Sequence, residues 1–186
     1  MSNIIYKEKI SDLNIEPLHV EKTKDDDGIP NPLPNFQTRS NFIMSIIAPT
    51  GSGKSVLISN LIRKYYFGIF DKIYFCSSNV AERNGIQKVY DKSYEKIEFD
   101  ELRIFPTINN EIIDYIRKDI ESDDDFNDKP DDFHALLIVD DLITEVNSAK
   151  NKEIIKFVLK SRHLHCSVII VSHKMNFLPT IIRNNL

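Results

Sequence analysis

The chain has 186 residues, 41% apolar and 28% charged, and its 24 Lys and Arg against 28 Asp and Glu give a formal net charge of −4. That length suits one domain, able to bury about 70% of its unfolded surface, and the charge excludes a protein coated in nucleic-acid-binding cations. No apolar run approaches the ~20 residues of a membrane span, and Met1-Ser2-Asn3 opens no signal peptide, so neither a membrane partner nor secretion is expected. Two cysteines, Cys76 and Cys166, and five scattered histidines show no metal-ligand spacing; buried thiols in a reducing compartment fit better.

In chain order, residues 1–40 are polar, with Pro30, Pro32 and Pro34 close together, and read as an arm or extended lead-in; Ile4–Ile10 is a candidate short strand. The core is expected over 41–186. Phe42–Ile47 is an apolar run with the length of a buried strand. It breaks into Pro49-Thr50-Gly51-Ser52-Gly53-Lys54-Ser55, and Val56, Leu57, Leu61 and Tyr65 then recur at helical spacing, predicting a helix over 53–66 that Gly68 ends.

Strand, small-residue turn and helix start are the setting of a phosphate-binding loop, with Ala48 standing where the first glycine of GxxxxGK[ST] is usual. Glycines at 51 and 53 permit backbone conformations that a side chain would block, and successive amides converge at the positive end of a helix. Residues Pro49 to Val56 are therefore the candidate nucleotide-binding segment. Lys54 supplies positive charge to the β- and γ-phosphates of ATP, and Ser55 offers a hydroxyl to Mg²⁺.

Further on, Asp71–Ser77 reads as a strand, with Ser77, Ser78 and Asn79 as caps for a helix from Glu82 to about Tyr90 that Asn84-Gly85 interrupts. Lys96–Phe99 is a candidate short strand, and Ile112, Ile113, Ile116 and Ile120 form a helix stripe over 108–121. Residues 119–132 are strongly acidic and contain Pro130, which predicts a solvated loop; repulsion of misplaced nucleic acid is the sharper alternative. Ala135–Asp141 is an apolar strand ending in two acids, Ser148–Lys160 a helix with Ile154, Ile155 and Val158 inward, and Cys166–His173 a strand with a polar end. Alternating strands and helices imply an α/β fold with a parallel sheet.

Ligands of open α/β sheets bind at the carboxyl ends of strands, so the loop after Ile47, Asp140-Asp141 and Ser172-His173 should meet at one crevice. Asp140 is then the acid that holds Mg²⁺ and Asp141 the general base for the attacking water. Ser172 or His173 is placed to sense the γ-phosphate, though a polar residue at a strand end needs no such role. Lys152, Lys156 and Lys160 lie four apart along one helix line, which suits a DNA phosphate backbone or a solvated face equally. Arg162 and Arg183 are candidates for an arginine finger reaching a neighbouring subunit, with ordinary surface arginine as the alternative.

The segments APTGSGKS, DKIYFCSSN, LLIVDDL, SRHLHCSVIIVSHK and LPTIIRNN, spanning about residues 42–185, resemble the genome-packaging ATPases of large double-stranded DNA viruses and virophages, in the FtsK–HerA group of P-loop NTPases. The resemblance implies a RecA-like core whose mostly parallel sheet is flanked by helices, and Mg²⁺-dependent ATP hydrolysis. It also implies self-association into a ring, translocation of double-stranded DNA, and viral capsid or portal components as partners. The expected setting is the viral factory in the cytoplasm of an infected host cell, or the virion. Family members commonly carry Gln where His173 stands. The family's sheet order puts 166–171 between 42–47 and 135–139 and adds a last strand beyond 42–47, where this chain stops. Strand 42–47 is then an edge unless the arm or a partner covers it, or the chain is a shortened form. Two other readings stand beside the motor: another P-loop NTPase, such as a helicase or small-molecule kinase, and a nucleotide-dependent assembly protein without motor activity.

Overall fold

The computed structural model describes residues 41–62, 66, 69–94, 101–128, 133–142, 146 and 152–184. The expected arm, the candidate strands Ile4–Ile10 and Lys96–Phe99, and the helix end at Gly68 lie outside them.

Five parallel strands carry the fold: β1 (Ile43–Ile47), β2 (Lys72–Ser77), β3 (Glu101–Phe105), β4 (Ala135–Asp140) and β5 (Cys166–Ser172). Their order across the sheet is β1-β5-β4-β2-β3, so β5 sits between β1 and β4 as the resemblance requires. Among the described residues, helices α1 (Lys54–Asn60), α2 (Val80–Tyr94), α3 (Asn110–Glu121), α4 (Asp124–Asp128), α5 (Lys152–Lys160) and α6 (Thr180–Arg183) accompany the sheet. Among the described residues β1 is an edge, bonded to β5 alone.

Because a strand's side chains alternate between faces, each apolar run feeds two cores. On one face Ile73, Phe75, Leu136, Ile138, Ile169 and Val171 pack against Ile58, Leu61 and Ile62 of the α1 segment and Ile86 of α2. On the other, Tyr74, Cys76, Leu137, Val139, Val168 and Ile170 meet Ile113, Ile116 and Ile120 of α3 and Ile154, Phe157 and Val158 of α5. Burial on both sides is why β4 and β5 read as unbroken apolar runs. Each fully buried Ile or Leu contributes about 1.5–3 kcal/mol.

Three expectations need correction. Asn84-Gly85 does not interrupt α2, which runs without a break from Val80 to Tyr94. Gly85 keeps helical geometry there, and Ile86 anchors the turn in the core; this packing outweighs the local turn signal.

The acidic stretch is not one solvated loop. Asp119 and Glu121 close α3, and Asp124–Asp128 form α4. Asp119 is held by the Tyr74 hydroxyl at 2.7 Å, the Arg103 Nε at 3.2 Å and Lys72 Nζ at 3.6 Å, while Asp123 bonds the same ammonium at 2.8 Å. These acids answer cations across the sheet that composition alone does not reveal. The Tyr74 phenol is itself pushed far up by burial and by its bond to Asp119.

Finally, the helix after the loop keeps α geometry only to Asn60. Leu61 and Ile62 follow in the wider π geometry, and the Tyr66 amide bonds Leu61 O, five residues back, at 2.8 Å.

Candidate nucleotide and metal site

Parallel pairing aligns the ends of four strands. Ile47 is level with Ser172, Val171 with Asp140, and Asp140 with Ser77. The segments that follow these strands therefore share one rim of the sheet. The connection leaving β1 covers one face through α1 and that leaving β4 covers the other through α5, so the chain changes sides at this rim, where open α/β sheets bind ligands.

The loop after β1 is tied to the sheet by the Ala48 amide, which donates to Ser172 O at 3.2 Å. Gly51 and Gly53 have φ of 77° and 89°, the left-handed region that disfavours any Cβ. Ser52 N donates to Pro49 O at 3.3 Å, and Leu57 N to Gly53 O at 2.9 Å to begin α1. Gly53 is the N-cap and brings no side chain to the first-turn amides. Pro49 to Gly53, Thr50 included, are exposed, and Val56 is 64% exposed.

Lys54 joins the strand ends. Its Nζ donates to Ala48 O at 2.8 Å and Pro49 O at 2.9 Å, and lies 3.0 Å from His173 Nδ1. His173 Nε2 is 2.9 Å from Asp141 Oδ2. An ammonium has only donors, so Nδ1 accepts and Nε2–H donates to the carboxylate. A line Lys54–His173–Asp141 thus crosses three neighbouring strands. Asp141 stands at φ 55°, a left-handed conformation that Asp tolerates better than most residues. Of the two sensor candidates only His173 enters this line. The Ser172 hydroxyl closes its own turn, donating to Lys174 O at 3.1 Å.

Asp140 occupies different surroundings. It is 2% exposed, and its Oδ2 has no hydrogen-bond partner. Burial, reinforced by a hydrogen bond with Glu82 and by that group's charge, pushes its carboxyl up to about 8. Burial also works against Glu82, but hydrogen bonds from Asp140, Ser55 and Ser77 outweigh it and hold that carboxyl below its usual range. The Ser55 and Ser77 hydroxyls donate to Glu82 Oε1 and Oε2 at 2.9 and 3.0 Å.

Ser55, Val56, Glu82, Gly85 and Asp140 line a cleft of about 520 Å³ between α1 and α2. An unpartnered buried carboxylate oxygen beside the Ser55 hydroxyl offers hard oxygen donors, which suit Mg²⁺. No three His, Cys, Asp or Glu side chains converge on a cation among the described residues, so phosphate oxygens and water would complete its shell.

Glu82 was missed in the sequence. It stands three residues after Asn79, the spacing of an ordinary helix cap, and only the strand order brings it to the rim. Asn79 does cap α2, through Oδ1 to the Ala81 amide at 2.9 Å.

The remaining candidates stand apart from this cluster. Lys152, Lys156 and Lys160 share the exposed side of α5, with Lys156 also paired to Glu153 at 2.5 Å. Arg162 lies in the 3-10 turn Ser161–Leu164 that precedes β5, a strand length of about 20 Å from the rim. Arg183 ends α6, donating to Thr180 Oγ1 at 2.9 Å, with its Nε buried and without an acceptor. Among the described residues neither arginine bonds the loop, Asp140 or Asp141.

Residues 35–186 match the family described as Poxvirus A32 protein. Among solved structures the chain resembles B204, the DNA-packaging ATPase from Sulfolobus turreted icosahedral virus, with a TM-score of 0.54 and 17% identity over 80% of this chain and 73% of that one. It also resembles the genome-packaging NTPase B204 from Sulfolobus turreted icosahedral virus 2 in complex with ATP-γS, with a TM-score of 0.50 and 15% identity over 80% and 72% of the two chains. At these identities the likeness shows the fold, that of a RecA-like P-loop ATPase. No curated protein sequence matches.

Proposed function

We propose that this chain, which belongs to the Poxvirus A32 protein family, is an ATP-hydrolysing, Mg²⁺-dependent subunit of a motor that drives double-stranded viral DNA into a capsid. One observation carries the reading most: the glycine loop, Lys54, Asp140, Asp141 and His173 come from three strands and share one rim. The structural likeness to two viral packaging NTPases, one in complex with an ATP analogue, supports the substrate and the DNA.

Each residue has a distinct task. Loop amides and Lys54 bind the triphosphate and stabilise the charge that spreads over the transferred phosphoryl group. Moving Lys54 onto phosphate exchanges its two carbonyl bonds for ionic ones. Ser55 and Asp140 hold Mg²⁺, which neutralises phosphate charge when bound. Asp141 accepts the proton of the attacking water, and the hydrogen bond from His173 fixes that carboxylate in place. Since His173 also touches Lys54, a change at the γ-phosphate is felt at the base, which is the sensor role.

An arginine finger can act only from a neighbour, because Arg162 and Arg183 make no bond to their own site; that fits a ring of copies. The exposed lysines of α5 are the face for duplex DNA. Capsid or portal components are the further partners, in the infected cell or the virion, and no described helix is long and apolar enough to cross a membrane.

The test is the ATPase rate of the purified chain with and without duplex DNA, together with its mass in solution. Stimulation by duplex DNA and a ring-sized assembly are expected. Stimulation by single strands or a metabolite instead would favour another P-loop NTPase. A monomer that binds ATP without turnover would favour an assembly protein.

A further inference from the structure

Glu82 has no assigned task, and its bonding is unusual for its position. It is the third residue of α2, where a glutamate ordinarily turns back to accept from the N-cap amide. Here that amide, from Asn79, is bonded to Ser77 Oγ at 3.2 Å instead. The Glu82 carboxylate is turned across the cleft to the Ser55 hydroxyl, the Ser77 hydroxyl and the Asp140 carboxyl. No Lys or Arg side chain bonds it among the described residues.

Two carboxyl groups in contact repel when both are charged. One member of this pair, Asp140, keeps a buried oxygen with no partner, a place that a divalent cation would fill. The hydroxyl between them adds a directional argument. A serine that offers a lone pair to a metal must place its proton elsewhere, and Glu82 Oε1 accepts the Ser55 proton at 2.9 Å.

We propose that Glu82 is the second carboxylate of the divalent-cation site, a positioning residue that holds the Ser55 hydroxyl proton so that the oxygen faces the metal, and that adds its charge to that of Asp140. The proposal rests on the reading of Ser55 and Asp140 as the Mg²⁺ residues. It makes the helix after β2, not only the loop after β1 and the end of β4, part of the nucleotide machinery.

The experiment titrates Mg²⁺ against binding of ATP-γS to the full chain, alongside ATP-γS affinity in EDTA and thermal unfolding without nucleotide. Glu82→Gln keeps the size and the acceptor for Ser55 but removes the charge. It should raise the Mg²⁺ concentration for half-maximal tightening by about tenfold or more, the usual effect of losing an outer-shell metal partner, while affinity in EDTA stays as in the wild type. The metal-free unfolding temperature shows whether each variant is folded, so that a lost fold is told apart from a lost Mg²⁺ response. Glu82→Asp, which keeps the charge but withdraws it by one methylene, should fall between the two and serves if the Gln variant does not fold. A wild-type Mg²⁺ dependence in Glu82→Gln overturns the proposal, as does equal weakening with and without Mg²⁺, which would make Glu82 merely structural. If Mg²⁺ fails to tighten ATP-γS binding even to the wild type, the metal reading of Ser55 and Asp140 falls first, and this proposal with it.

Discussion

Asp140 and Asp141 are neighbours in sequence with opposite surroundings, and the difference separates their chemistry. Asp140 is sealed against Glu82 with one oxygen unpartnered; Asp141 is held in a left-handed conformation with its carboxylate on His173. The sealed acid makes a prediction about pH. Its folded-state value of about 8 lies above the ordinary 3.8, so the folded chain holds this proton more tightly than the unfolded chain. The resulting stabilisation is complete below the lower value and is lost as pH rises through the higher one. In metal-free buffer Asp140→Asn should therefore gain thermal stability over the wild type progressively across that window, with the difference levelling off above about pH 8. A difference that stays flat or shrinks with pH would show that Asp140 is not buried as a carboxyl pair with Glu82.

At the scale of elements, the glycines offer a contrast. Gly53 needs its φ of 89°, whereas Gly85 sits in a helix where an added Cβ meets nothing within 4 Å. Gly85→Ala should therefore raise the unfolding free energy by about 0.5–1 kcal/mol, read from denaturant midpoints, and Gly53→Ala should lower it by about 1–2 kcal/mol. Equal effects at both positions would contradict the conformations described.

The same elements show what the sequence made legible. β1, β4 and β5 were readable because both of their faces are covered or partly covered, so their apolar runs are continuous. β3, Glu101–Phe105, was missed because it is a short strand, an edge among the described residues, whose Glu101 and Arg103 pair with each other at 2.8 Å and break the apolar pattern. The break expected at Asn84-Gly85 followed a local turn signal that core packing overrides. Glu82 was hidden for a related reason: its spacing from Asn79 looks like capping, and its partners Ser55 and Asp140 are adjacent only through the strand order. Spacing along the chain revealed the loop and the paired acids; pairing across the sheet revealed what they touch.

The molecule as a whole places its charge unevenly. The rim gathers Lys54 and the acids, while Lys152, Lys156 and Lys160 are exposed on α5. If those lysines track a duplex, Lys152→Glu with Lys156→Glu should weaken DNA binding and make its salt dependence shallower by about 0.9 log unit for each phosphate no longer neutralised. Unchanged affinity and slope would remove α5 from the DNA face. Arg162 lies about a strand length from the rim of its own chain, so the proposed finger role requires a neighbouring copy.

The most direct test of an ATP-hydrolysing centre at the rim is single-turnover phosphate release from Mg·ATP by the full chain and by Asp141→Asn, in the presence of duplex DNA. Asn tolerates the left-handed backbone at this position, so the substitution removes the proposed base with little strain on the backbone. The wild type should release phosphate while Asp141→Asn retains intact ATP; equal release by the two would contradict the account.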